Sequence, residues 1–121
     1  MAEVKLLEFI DSRIARPTVW PRNQHVTHPG WKEMYVRVTK RYLGGQIREP
    51  VIDLAAIEAI HPGKGAFRAL VTELRKLYPQ ASIFVESVQP ERFKAGLLRM
   101  GFTQRENDEP SYYLLPESKW P

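Results

Sequence analysis

The chain has 121 residues, a net charge of +4, 43% hydrophobic and 26% charged residues, and no cysteine. That size and balance fit one globular domain, residues 1–121, with a core of its own. Disulfides, thiolate metal sites and cysteine nucleophiles are excluded. The mild positive charge suits an anionic ligand without by itself arguing for nucleic acid, and no apolar run is long enough to span a membrane. Glu3, Glu8 and Asp11 interrupt the apolar positions of the N-terminal stretch, which argues against a signal peptide, so a cytoplasmic protein is expected.

Residues 4–14 carry Val4, Leu7, Ile10 and Ile14 at helical spacing, while Leu7 and Phe9 against Leu6 and Glu8 partly fit a strand; helix is the preferred reading of the two. Residues 16–31 hold Pro17, Pro21 and Pro29 without periodicity and read as a long loop. Residues 33–43 then alternate. Met34, Val36 and Val38 take one face; Tyr35, Arg37, Thr39 and Arg41 take the other. Gly44-Gly45 predicts a hairpin, with a return strand from near Gln46 in which Pro50 marks a bulge or an edge. Residues 51–60 read as a mostly buried strand. Phe67, Leu70, Val71, Leu74 and Leu77 predict an amphipathic helix over 66–77. A strand at 82–88 follows, then a helix that starts at Pro90 and stops at Gly101, and a last strand at 111–117. From residue 33 the predicted order is β-β-α-β-α-β.

The segment His61-Pro62-Gly63-Lys64-Gly65 lies where a strand passes into a helix. Helix N-termini present unpaired N–H groups and partial positive charge, and glycines let that backbone approach a phosphate. Lys64 adds a mobile charge. The same residues also suit a tight turn whose glycines serve geometry alone. Lys64 is not followed by Ser or Thr, so this is no P-loop, and the third glycine of a dinucleotide fingerprint is missing. His25 and His28 are close but lack a third ligand, so no metal site is expected; His61 adjoins the glycines.

The stretches "IEAIHPGKGAFRALVTELRKL" and "SIFVESVQPERFKAGLLRMGF" resemble the GNAT superfamily, the Gcn5-related N-acetyltransferases. The likeness follows element order over residues 33–115 and is specific over 57–70 and 86–102. It implies an α/β (α+β) fold: a mixed, mostly antiparallel central sheet with helices on both faces, in which 51–60 and 82–88 run parallel and splay apart. It implies transfer of the acetyl group of acetyl-CoA, as cosubstrate, to an amine, with a protein among the acceptors that the sequence leaves open. The coenzyme would be held by Ile60, His61, Gly63, Lys64, Gly65, Ala66 and Phe67, with Gln89 after the next strand. The family's loop Arg/Gln falls here on Pro62, its Asn near Pro90 and its acidic Tyr on Leu97. These departures favour the alternative: a GNAT-fold binding or regulatory protein that holds coenzyme A with little or no turnover. The short N-terminal region would leave the acceptor side open to a macromolecular amine, or completed by a second subunit in a homodimer.

Glu58 lies on the strand leading into the loop, where the resemblance often places a general base that deprotonates the ammonium acceptor. It also suits a structural carboxylate paired with an arginine such as Arg37. Asp53 is a weaker candidate for the same role. Alternation sends Tyr112 and Tyr113 to opposite faces, so one of them could replace the missing acid, with packing as the other reading. Tyr35, Arg37, Lys40 and Arg41 form a basic, aromatic strand that could touch nucleic acid; a solvated strand face is the commoner outcome, and no nucleic-acid partner is expected. Trp20 and Trp31 would anchor the Pro-rich loop or line an acceptor site.

Overall fold

The computed structural model describes residues 3–86, 91–105 and 110–120. In chain order the elements are α1 (Leu6–Ala15), β1 (Asn23–Val26), β2 (Trp31–Leu43), β3 (Gln46–Ala59), α2 (Ala66–Leu77), β4 (Ser82–Val85), α3 (Glu91–Arg99), β5 (Thr103–Gln104) and β6 (Tyr112–Leu114). Among the described residues the strands form one sheet in the order β1-β2-β3-β4-β6-β5. Only β3 and β4 run parallel; every other neighbouring pair is antiparallel. The fold is therefore mixed α/β with a mostly antiparallel sheet, as the resemblance implies.

The hairpin of β2 and β3 is the frame of the sheet. Gly44 (φ 60°) and Gly45 (φ 87°) both take positive φ, the geometry a two-residue turn needs to follow strand twist. Three irregularities interrupt the long ladder, one between Trp31 and Glu33 and two deeper in the sheet. Thr39 faces Val51 but Arg41 faces Arg48, so the register shifts beside Pro50. Pro50 also precedes the first residue of β3 that pairs with β4, so it combines a bulge with an open edge. The second shift falls between Val36–Leu54 and Tyr35–Ala56, leaving Ala55 as an extra residue in β3. Among the described residues the pairing with β4 ends at the same point: Leu54–Val85 is the last pair, followed by Glu86 N–H donating to the Leu54 carbonyl at 3.3 Å. Strand β3 runs on to Ala59 with no described strand on that side.

One face of the sheet carries the main core. Val36, Ile52, Leu54 and Ile83 meet Leu6, Phe9 and Ile10 of α1, Leu70, Val71 and Leu74 of α2, and Leu97 of α3 in a single cluster. The spacing of the α2 residues puts them on one stripe of the helix, and each large aliphatic side chain buried there contributes about 1.5–3 kcal/mol. Gly101 (φ 102°) ends α3, with Phe102 N–H on the Leu97 carbonyl at 3.0 Å. The C-terminal tail is tied to α2 by Arg75 Nη1 on the Leu115 carbonyl (2.8 Å) and Trp120 Nε1 on Thr72 Oγ1 (2.9 Å).

Helices on both faces, implied by the resemblance, is corrected. All three helices contribute to the one cluster, and the apolar cluster on the opposite face is, among the described residues, Leu43, Val51 and Phe84 with Tyr113 and Leu115. Arg37, Arg41, Asp53 and Glu86 cross the middle of that face, and an apolar helix laid over them would strand charges away from water. The loop expected at 16–31 is also corrected, since it contains β1. That strand is four residues long with one buried side chain, so it is held by backbone pairing to Met34–Arg37 rather than by a readable pattern. Strand β4 ends at Val85 rather than 88, β6 is shorter than 111–117, and β5 was not expected. Residues 87 and 88, with Pro90, lie outside the described residues. Among the described residues no helix is long and apolar enough to cross a membrane.

Candidate functional site

The junction between β3 and α2 is built as the glycine spacing predicts. Residues 61–65 are exposed, and Gly63 (φ 77°) and Gly65 (φ 83°) both take left-handed backbone. Gly65 is the N-cap of α2 and supplies no side-chain cap, so the first-turn N–H groups are left for water or a ligand. A Cβ added at either glycine would meet nothing within 4 Å. The glycines therefore serve backbone conformation, and the space before the helix is open. Among the described residues Lys64 has no ion-pair partner. Ile60 N–H bonds the Gly30 carbonyl at 3.0 Å, which ties the loop to the β1–β2 turn.

The remaining expected coenzyme residues differ in what they offer. Ile60 is half exposed and His61 exposed. Phe67 is buried, its ring packed edge-on to Phe93 (5.2 Å) and near Phe102 (5.8 Å), so only its backbone faces the loop. Gln89 lies outside the described residues. Beyond Gly65 an open depression of about 610 Å³ runs along α2, lined by Arg68, Thr72 and Lys76 in one helical row with Ala69 and Glu73. The Arg68 guanidinium sits over the Trp120 ring at 5.6 Å beside it.

Glu58 is on the face away from the helices, more than half exposed, with Lys32 Nζ at 3.5 Å. The Arg37 pairing considered for it does not form. Arg37 Nε instead lies 3.6 Å from Asp53 Oδ2 and 3.4 Å from Glu86 Oε2. Arg41 Nη2 donates to the same Asp53 oxygen at 2.5 Å and lies 3.4 Å from Glu86 Oε2. Asp53 is fully buried and Glu86 about a quarter exposed. Burial pushes the Asp53 carboxyl up to about 7, helped by its hydrogen bond to Glu86 and opposed by Arg41. Glu86 moves down, chiefly because Asp53 donates to it, then through Arg37 and Arg41, against its own burial. Asp53 Oδ1 is buried without a hydrogen-bond partner, and burial favours the neutral acid there, so the proton of the pair sits on Asp53 while Glu86 keeps the charge. Two carboxyls thus share one proton near neutrality under two guanidinium groups.

The two tyrosines go to opposite faces as alternation requires. Tyr112 is buried in the main core, while Tyr113 packs with Phe84 and its hydroxyl lies by Gly44, at the hairpin end of the sheet. Leu97, at the family's Tyr position, is fully buried in the core. Trp31 packs on the main core and Trp20 is exposed. The His25 ring lies tilted against Tyr35 with centroids 4.6 Å apart, and His28 Nε2 pairs with Glu73 Oε1 at 2.6 Å. Among the described residues no three His, Asp or Glu side chains group to hold a metal.

Sequence reasoning ranked Glu58 above Asp53 and did not single out Glu86. A signal for the cluster was present: Asp53 is the one charge in the apolar run from Val51 to Ile57, and alternation puts Arg37 and Arg41 on one face of the neighbouring strand. Comparison with protein-family models, with curated proteins and with solved structures finds no match for this chain.

Proposed function

We propose that the chain is a GNAT-like N-acetyltransferase that binds acetyl-CoA between β3 and β4 and passes its acetyl group to an amine. The carrying observation is the open glycine loop at an uncapped helix N-terminus, reached along the stretch of β3 that runs on beyond the last described pair with β4. Backbone N–H groups of Gly63–Phe67 would take the pyrophosphate, with Lys64 beside it. Ile60 and His61 would flank the arm of the coenzyme. The edge of β3 over residues 55–59 would pair with its amides. A ligand there meets backbone rather than side chains, which fits the open space at both glycines. The amine nitrogen bonds to the thioester carbonyl carbon, the C–S bond breaks and the coenzyme leaves as its thiol. Glu58 is the base that the resemblance implies, from the side of the sheet that no helix covers. That uncovered face admits an amine carried by a protein, or a second copy of the chain.

The second reading, a coenzyme-binding module without turnover, is favoured by Leu97, since a core leucine supplies no proton to a departing thiolate. Calorimetry with coenzyme A tests both. Binding that Gly65→Val abolishes supports the site, and silence from the wild type at about millimolar ligand, a Kd weaker than about −4 kcal/mol of binding, overturns it. Thiol release on adding an amine separates the enzyme from the module.

A further inference from the structure

We infer that Glu86, with Asp53 behind it, takes the proton from the acceptor's ammonium group; this rests on the transferase reading above. The placement carries it. Among the described residues the Glu86 N–H closes the last hydrogen bond between β4 and β3, at the Leu54 carbonyl, so Glu86 stands at the end of the described pairing of the two strands. Its carboxylate lies on the helix-free face, in contact with Arg37 and Arg41 and about a quarter exposed. Asp53 is one layer deeper and closed to water. Solvent or a ligand therefore reaches this pair only through Glu86. Glu86 takes this role in place of Glu58, which stands further along β3, exposed and ion-paired with Lys32.

The charge balance suits a proton acceptor. With both carboxyls ionised, Arg37 and Arg41 cancel them, so the cluster is neutral and persists in a buried place. An ammonium R–NH₃⁺ gives one proton to Glu86, and that proton comes to rest on Asp53, which donates back to Glu86. The freed nitrogen lone pair attacks the thioester carbonyl; the C–N bond forms, the C–S bond breaks, and the second nitrogen proton passes to the departing sulfur, so the coenzyme leaves as its thiol. The pair's affinity for this single proton lies near neutrality, where a general base is most effective. The groups facing the pair are Arg37 and Arg41 from β2 and, on the far side of Phe84, Tyr113 of β6 and Arg105 after β5. Lys32, Glu33 and Glu58 lie toward the glycine loop, the first and last paired with each other. Glu86 touches the substrate in this scheme and is the catalytic residue; Asp53 is a positioning residue that sets its titration.

The experiment follows thiol release from acetyl-CoA with spermidine, glycinamide and a lysine-containing tripeptide as amine probes, beside calorimetry of acetyl-CoA. Wild-type kcat/KM should rise with pH and level off above about 7. Glu86→Gln should lower it about a hundredfold with acetyl-CoA affinity unchanged, and Glu86→Asp should restore part of it. Asp53→Asn should move the rise to lower pH, because Glu86 then titrates without a second carboxyl. If Asp53→Asn does not fold, a carbon-13 carboxyl titration of the wild type should show one carboxyl titrating near 7. Wild-type turnover in Glu86→Gln, or its loss in Glu58→Gln alone, overturns the assignment while leaving the transferase reading intact. Wild-type protein that binds acetyl-CoA but releases no thiol with any probe, or that binds none, overturns that reading and the assignment with it.

Discussion

The two faces of the sheet are built by opposite means. Toward the helices, Val36, Ile52, Leu54 and Ile83 lie in an apolar cluster that takes in all three helices. On the other face, a buried carboxyl, a half-buried one and two arginines occupy the same strands one residue out of step. A sheet that only needed stability would fill that face with apolar residues or leave it to water, because buried ion pairs rarely beat a hydrophobic replacement. The difference teaches where to look for chemistry: the apolar face holds the strands in place, and the charged face carries groups whose protonation the fold has altered.

Leu54→Ala on the apolar face should have the largest effect on stability. It removes a fully buried side chain and should cost about 2–5 kcal/mol by chemical denaturation. Arg41→Met on the charged face should come next, at about 2–3 kcal/mol near pH 8, below the full cost of breaking a buried pair because Arg41 is partly exposed. That cost should shrink at acid pH, where a neutral Asp53 no longer needs its guanidinium. Equal costs for Arg41→Met at both pH values would mean that Asp53 titrates like an exposed carboxylate.

Asp53→Asn sharpens the comparison through pH. The folded-state Asp53 holds its proton up to about 7, above its unfolded value of 3.8. Between those values the folded chain keeps a proton that the unfolded chain has lost, so stability from this group falls as pH rises through that window. Glu86 has the opposite sign: its folded-state affinity is lowered, so its contribution is present above the ordinary glutamate range and lost as pH falls. Thermal melts of the wild type should therefore decline from mildly acid to neutral pH, and those of Asp53→Asn should stay flat over the same interval. The smallest effect should come from Glu73→Gln, which loosens a partly exposed pair with His28 and should cost less than about 1 kcal/mol.

Much of the apolar face was legible in the sequence. The alternation of Met34, Val36 and Val38 and the helical stripe of Phe67, Leu70, Val71 and Leu74 each report burial by periodicity, and both elements form where expected. The Gly44-Gly45 turn was legible because it needs positive φ at both positions. Strand β1 was not, because backbone pairing holds it and leaves too short a pattern. The number of helix-bearing faces depends on which side each crossover takes, and the resemblance supplied the wrong one. In the site, Gly63 and Gly65 announce themselves through backbone demand. The Asp53–Glu86 contact depends on the register of β3 against β4, in which Asp53 faces Phe84 and places Glu86 at the end of the pairing. No local spacing encodes that register, so Glu58, nearer the loop in sequence, drew the attention that the buried pair merits.

The most direct test of the central claim is an amide nitrogen–proton correlation spectrum of the protein titrated with coenzyme A. Binding as proposed shifts the amides of Gly63, Lys64, Gly65, Ala66 and Phe67, and those of β3 after Leu54, while the amides of α1 stay in place. Spectra unchanged at millimolar coenzyme A, or shifts confined to other parts of the chain, would contradict it.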